Sequence, residues 1–253
     1  MHLLLSTDFD GTLVTHPEKN PFAPDFIKQL TRLRESHKVT WVINTGRSWH
    51  ILEHSLGRIP PAIPPDWVVV LEREAYEIKG KESIPLNPWN QNCRRIHSQL
   101  FEESNSTFNA IRKACAHFSN IQLVEDEGCP LGIIAADDQQ ANEVDAIVKE
   151  HIKHLENLSI MRNTIYFRFC HIEYHKGSAL NAIAKKLDIP VSQRFVVGDQ
   201  LNDLQMLDRK VAKHIACPSN ASDAVKNRVL EQGGYIANQP DQRGIAEALQ
   251  KFF

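Results

Sequence analysis

The order of apolar runs and helical stretches constrains this chain most, because it breaks off once and later resumes. Residues 3–6, 39–43 and 67–71 are short apolar runs separated by helical segments at 24–35 and 48–56, a β-α-β-α-β succession. Parallel strands need a crossover connection, so this alternation predicts a parallel sheet with helices on both faces. Pro60, Pro61, Pro64 and Pro65 exclude a helix before the third strand and mark a rigid loop. From about Gly80 to His171 the order becomes α-β-β, twice: helices near 105–118 and 138–154, strands near 121–125, 131–135, 158–162 and 164–170. The short turns at Asp126-Glu127-Gly128 and Arg162-Asn163 suit antiparallel pairs with helices on one face. After His171 the alternation returns, with helices at 177–187, 202–207, 222–232 and 244–253 and strands at 194–197 and 213–216. The expectation is an α/β protein whose core combines residues 1–80 and 172–253, interrupted by an α+β unit at 81–171.

With 253 residues, 42% of them hydrophobic, the chain can bury a large core, and its net charge of -2 disfavours a polybasic nucleic-acid or membrane partner. Leu3 to Leu5 is too short for a signal-peptide core and no later run reaches membrane-spanning length, so a cytoplasmic location is expected, with a small molecule as partner and a monomer or homodimer as assembly. The five cysteines form no C-x-x-C pair and are odd in number, which favours reduced packing residues. His151 and His154 have no cysteine nearby and read as helix surface, not zinc ligands.

Four stations could carry chemistry, and each follows a predicted strand of one sheet. Asp8-Phe9-Asp10-Gly11-Thr12 ends the first strand. Side chains two apart in extended chain point the same way, so Asp8 and Asp10 can share one pocket, where a hard cation or a proton must offset their charge. The plainer alternative is a turn in which both only cap backbone groups. Asn44-Thr45-Gly46-Arg47 follows the second strand and offers a hydroxyl and N–H groups to phosphate oxygens, or merely a helix cap at Thr45 or Ser48. Arg47 reads equally as a ligand anchor or as the partner of a surface acid. Lys176 opens a helix, where the macrodipole disfavours a cation, so it either serves a nearby negative group or is solvated. In Gly198-Asp199-Gln200-Leu201-Asn202-Asp203 the two aspartates, four apart, can converge on one ion with Asn202 as a neutral donor, or can simply cap the next helix. Independent caps have no reason to gather at the carboxyl ends of one sheet, which is where ligands of open α/β sheets collect.

The motifs Asp8-Phe9-Asp10-Gly11-Thr12, Thr45, Lys176 and Gly198-Asp199-x-x-Asn202-Asp203 resemble those of the haloacid dehalogenase superfamily, over essentially the whole chain. The insertion resembles the short form of the C2-type caps of its Cof-like, sucrose-phosphatase-like and mannosyl-3-phosphoglycerate-phosphatase-like branches. The resemblance implies a Rossmann-like core with a cap that sets specificity, and a Mg2+-dependent phosphomonoester hydrolase acting on a small phosphorylated metabolite such as a sugar phosphate. It implies Asp8 as nucleophile and Asp10 as acid and base. Thr45, Gly46, Lys176 and Asn202 would bind the phosphoryl group, and Asp8, the Asp10 carbonyl, Asp199 and Asp203 would hold the metal. Transfer to a sugar acceptor and a catalytically silent binding protein remain alternatives. A signalling receiver also pairs acids with Thr and Lys, but the insertion counts against it. The sequence departs from the Cof-like pattern at Glu72-Arg73-Glu74-Ala75, where Asn-Gly-Ala is usual, and at Gln200, where a small residue is usual.

Overall fold

The computed structural model describes residues 1–14, 24–57, 63–126 and 128–253. Pro60, Pro61 and Glu127 lie outside them, and with these two expected features, the start of the proline loop and the middle of the Asp126-Glu127-Gly128 turn. The chain divides into two compact units, one made of Met1–Asn90 and Lys176–Phe253, the other of Gln91–His175.

The first unit is built on an eight-stranded sheet in the order β12-β11-β10-β1-β2-β3-β4-β5. β1 (His2–Thr7) lies between β2 (Lys38–Asn44) and β10 (Arg194–Val197), parallel to both. β3 (Trp67–Val70), β11 (His214–Cys217) and β12 (Tyr235–Ile236) extend the parallel part. β4 (Glu74–Lys79) and β5 (Glu82–Pro85) add an antiparallel hairpin at one edge. This hairpin was not expected, and it keeps the sheet running past residue 80, so the division between units falls at Asn90 and not after residue 80.

A strand covered on both faces reads as a near-continuous apolar run, and Leu3 to Leu5 of β1 show how this works. Leu3 and Leu5 pack with Phe26 and Leu30 of α1 (Pro24–Ser36), while Leu4, pointing the other way, packs with Leu180 and Ile183 of α6 (Lys176–Lys186). α2 (Trp49–Leu56), α7 (Asp223–Glu231) and α8 (Asp241–Phe252) complete the helical layers. The chain therefore leaves the central strand toward β2 on one side and returns as β10 on the other, which creates a switch point at the carboxyl end of β1.

The second unit is a four-stranded antiparallel sheet in the order β6-β7-β9-β8: β6 (Gln122–Asp126), β7 (Cys129–Ile134), β9 (Tyr166–His171) and β8 (Leu158–Asn163). Phe108 and Ile111 of α4 (Asn105–Cys115) and Val144 and Val148 of α5 (Asp138–Ile152) pack with Ile133, Phe167 and Phe169 of its strands. α3 (Trp89–Glu103), absent from the sequence expectation, precedes them. All five cysteines are buried. Among the described residues no helix is long and apolar enough to cross a membrane.

Candidate active site

Three loops leave the sheet at one level. Thr7 pairs with Ile43 on one side and Val197 on the other, so Asp8, Asn44 and Gly198 follow at matching heights. The Asp8 N–H donates to the Val197 carbonyl at 3.0 Å and the Thr45 N–H to that of Val69 at 2.9 Å, which extends the ladder into the loops. Gly11, with φ of +80°, then turns the chain away, as only glycine does without strain.

Asp8, Asp199 and Asp203 are buried and offer carboxylate oxygens that lie within 4.8 Å of one another. Lys176, fully buried, donates from Nζ to Asp8 Oδ1 and, at 2.7 Å, to Asp203 Oδ1. It is thus the partner of negative groups and not a solvated lysine. Its helix start is fixed by Asn44, whose Nδ2 donates to the Lys176 carbonyl at 3.1 Å. Asp199 does not cap the turn that follows: its Oδ1 accepts from Thr12 Oγ1 at 2.6 Å. Asp203 does, accepting from the N–H groups of Asp199 at 2.9 Å and Gln200 at 3.0 Å through Oδ2. It ends a short 3-10 turn, Leu201–Asp203, where an α-helix was expected.

The charges do not cancel. Burial, then the Asp203 charge, raises the Asp8 pKa well above that of an ordinary aspartate, against the pull of Lys176. The same two causes push Asp199 up to about 6, with the Thr12 hydrogen bond holding it down. Burial opposes the Lys176 ammonium, but Asp203 and Asp8 outweigh it and raise its pKa. One buried cation faces three buried acids, and two of those acids retain protons more tightly than usual. The donor set consists of oxygen alone. Such a site fits a hard divalent cation, which would take over the role of the retained protons.

Asp10 is placed differently from the expectation. Its carboxylate does not join the cluster but is gripped by Arg47, with Nε to Oδ2 at 2.8 Å and Nη2 to Oδ1 at 2.5 Å, while the guanidinium lies 4.9 Å from the Phe9 ring centre. A bidentate fork outcompetes the crowded pocket for this carboxylate. Thr45, buried, accepts the Arg47 N–H at 3.1 Å, and Gly46 follows it. Asn202 Nδ2 donates to Glu72 Oε1 at 2.8 Å. Thr12, Asn44, Glu72 and Asn220, whose Nδ2 donates to the Gly11 carbonyl at 2.8 Å, were not singled out as site residues from the sequence. Thr12 and Asn44 stood within motifs that could have flagged them, and Glu72 within a noted departure from the Cof-like pattern; Asn220 stood in none.

A parallel sheet with its switch point at β1, an aspartate on that strand's carboxyl end, and a lysine and a second acidic pair converging on it define the haloacid dehalogenase superfamily. The structural similarities agree. The sucrose-phosphatase of Synechocystis sp. PCC6803, solved with sucrose and phosphate, superposes with a TM-score of 0.74 at 16% identity, covering 99% of this chain and 97% of that one. A haloalkanoate-superfamily phosphatase of Bacteroides thetaiotaomicron gives 0.66 at 21% identity over 100% and 95%. The sequence model of sucrose-6F-phosphate phosphohydrolase matches residues 1–253, and the chain belongs to that family. Among curated relatives, the phosphatase YwpJ of Bacillus subtilis is 30% identical over 99 residues, 39% of this chain and 33% of its own length. A protein of Streptococcus pyogenes serotype M6, also named a phosphatase, is 29% identical over 111 residues, 43% of this chain. The chain thus spans only 39% and 33% of the length of these curated relatives.

Proposed function

We propose that the protein is a Mg2+-dependent phosphomonoester hydrolase that works through an aspartyl phosphate on Asp8 and acts on a small phosphorylated metabolite such as a sugar phosphate. The buried ammonium of Lys176 bridging Asp8 and Asp203, with Asp199 beside them, carries this reading. A carboxylate kept out of water and next to an ammonium is held in place for attack on an electrophile, while the same ammonium offsets charge on the equatorial oxygens. Asp8, Asp199 and Asp203 would hold the Mg2+, which when bound supplies positive charge to the phosphoryl oxygens.

Thr45 Oγ1, the Gly46 N–H, Lys176 Nζ and Asn202 Nδ2 bind the phosphoryl group. Asp8 then forms the bond to phosphorus as the bond to the leaving oxygen breaks, and Asp10 gives that oxygen its proton. In the second step Asp10 takes a proton from water as the water oxygen attacks phosphorus. The aspartyl bond breaks, phosphate leaves and Asp8 is restored. In the ion pair with Arg47 the Asp10 carboxylate is an acceptor, so it would act as the acid only after leaving that pair and taking up a proton, which the water of the second step restores after each turnover. A sugar phosphate is favoured as substrate by the sucrose and phosphate bound to the Synechocystis enzyme.

The purified protein should release p-nitrophenol from p-nitrophenyl phosphate with Mg2+ and stop on addition of EDTA. Asp8→Asn should lower turnover by at least a thousandfold with an unchanged circular dichroism spectrum; a variant that retains activity removes Asp8 as nucleophile. Acid-stable transfer of phosphate to a sugar instead of water would favour a phosphotransferase.

A further inference from the structure

Glu72 is anomalous in three respects. It follows β3 with φ of +64°, a left-handed conformation that a side chain other than glycine, asparagine or aspartate seldom adopts. It is buried, with a relative exposure of 5%. One of its oxygens, Oε2, is buried without a hydrogen-bond partner among the described residues, as is Oδ1 of Asn202. Buried polar atoms in native structures are rarely left in this state, and a carboxylate oxygen least cheaply of all. Leu71, also left-handed at φ of +51°, and the Glu72 N–H, which donates to the Thr45 carbonyl at 2.9 Å, hold the residue in place.

Its surroundings give the anomaly a meaning. Oε1 accepts from Asn202 Nδ2, and a Cβ built on Gly46 would come within 3.0 Å of the same oxygen, so position 46 is glycine where the carboxylate passes. The Glu72 charge also contributes to the raised proton affinity of Lys176. Thr45, Gly46, Lys176 and Asn202 are the four residues assigned above to phosphate, and Glu72 touches or electrostatically engages each of them. We infer that Glu72 is an internal anion lodged among the phosphate-binding groups, so that a phosphoryl ligand has to displace its carboxylate to bind. The inference rests on the phosphate site proposed above and adds a built-in competitor to it. An anion that holds Asn202 keeps the cradle ordered when empty, and weakens the binding of any phosphate, including released product. A purely structural Glu72 would instead brace Asn202, and its loss would weaken phosphate binding.

The test is calorimetric titration with inorganic phosphate at saturating Mg2+, of the full chain and of the E72Q and E72G variants, with thermal unfolding as a check on folding. Glutamine is isosteric and still accepts from Asn202, and glycine is at ease at positive φ, so one or both variants should fold. Phosphate should bind about ten- to hundredfold more tightly to the variants, inside the roughly five- to thousandfold range that the repulsion of unit charges about 4 Å apart spans between water-like and protein-like screening. Affinity unchanged within twofold, weakened or undetectable in the folded variants would overturn the inference. Turnover of p-nitrophenyl phosphate, measured on the same samples, separates the two readings. Tightened phosphate binding without turnover by the wild-type protein defeats the hydrolase and leaves Glu72 its role, whereas normal turnover with unchanged phosphate affinity defeats Glu72 alone.

Discussion

Gly198 shows how much of the site hangs on one missing side chain. A Cβ there would lie 2.3 Å from Asp203 Cγ and 2.5 Å from its Oδ2. The Asp203 carboxylate can therefore reach the N–H groups of Asp199 and Gln200 and still accept from Lys176 only because residue 198 is bare. Gly198→Ala should push Asp203 off Lys176, lower kcat with an aryl phosphate at least a hundredfold, and cost about 1–3 kcal/mol, the usual penalty of overpacking. Urea unfolding and steady-state kinetics check both figures, and near-normal turnover would refute the dependence. This glycine was legible in the sequence as part of its motif, as were Asp8, Asp199 and Asp203, because residues that follow strands of one sheet are bound to meet at its rim; Lys176 was expected there for the same reason but follows β9 of the other sheet, and reaches the cluster from the start of α6 instead. The Asp10 side chain was not. Period-two alternation places it beside Asp8 only while the chain stays extended, and here the competing fork of Arg47, 37 residues away in sequence, decides its direction. Glu72 escaped for a similar reason, since its burial and left-handed backbone depend on contacts made by Asn202 and Thr45.

At the level of elements, the alternation of apolar runs located β1, β2, β3 and β10 because each is covered on both faces. The pieces it missed lack that signal. β4 carries glutamate at 74 and 77 and lysine at 79, and in β5 three of four residues are exposed, as suits a hairpin at a sheet edge. α3 presents Cys93, His97, Leu100 and Phe101 as its buried stripe, and a histidine in the middle of it breaks the apolar spacing. His97 is tolerated there because Nε2 accepts the His171 N–H at 3.0 Å, which leaves Nδ1 to donate to the Cys93 carbonyl at 2.8 Å. The two-residue β12 is held in another way: Glu247 of α8 accepts from Tyr235 Oη at 2.6 Å, Asn238 Nδ2 at 2.7 Å and the Gln239 N–H at 3.0 Å. Burial alone would raise its pKa, but these hydrogen bonds prevail and lower it from the ordinary value of 4.5. Glu247→Gln should cost about 0.5–1 kcal/mol in urea unfolding at pH 7, because water screens a carboxylate this close to the surface. Because the folded pKa is the depressed one, the wild-type advantage is present above pH ~4.5 and is lost as pH falls through the folded value. The two proteins should converge in stability in acid, and a gap that persists at pH 3 would assign the cost to packing.

For the whole molecule, the acidic cluster links protons, metal and stability. Asp8 and Asp199 have pKa values above their ordinary 3.8, the latter at about 6. A carboxyl whose folded pKa is raised contributes stability that is complete below the unfolded value and is lost as pH rises through the folded one. The metal-free protein should therefore lose stability from this source between pH ~4 and ~6, as Asp199 is forced to ionise beside Asp203. A divalent cation bound at the cluster would reverse the sign, because it would favour the ionised carboxylates that otherwise repel one another. At a hundredfold excess over Kd, Mg2+ stabilises by about 2.7 kcal/mol, which for a chain of this size raises Tm by roughly 5–10 °C. That increment should appear in full at pH 7.5 and fall to less than half at pH 5, where a proton already occupies Asp199. The Asp199→Asn variant should show little of it at either pH, while gaining stability without metal at pH 7.5 through relief of the repulsion from Asp203. Differential scanning fluorimetry of both proteins with and without Mg2+ at the two pH values measures each of these changes. An equal increment at both pH values would mean that the cation binds away from the cluster, and Asp8, Asp199 and Asp203 would then need another reason for being buried together.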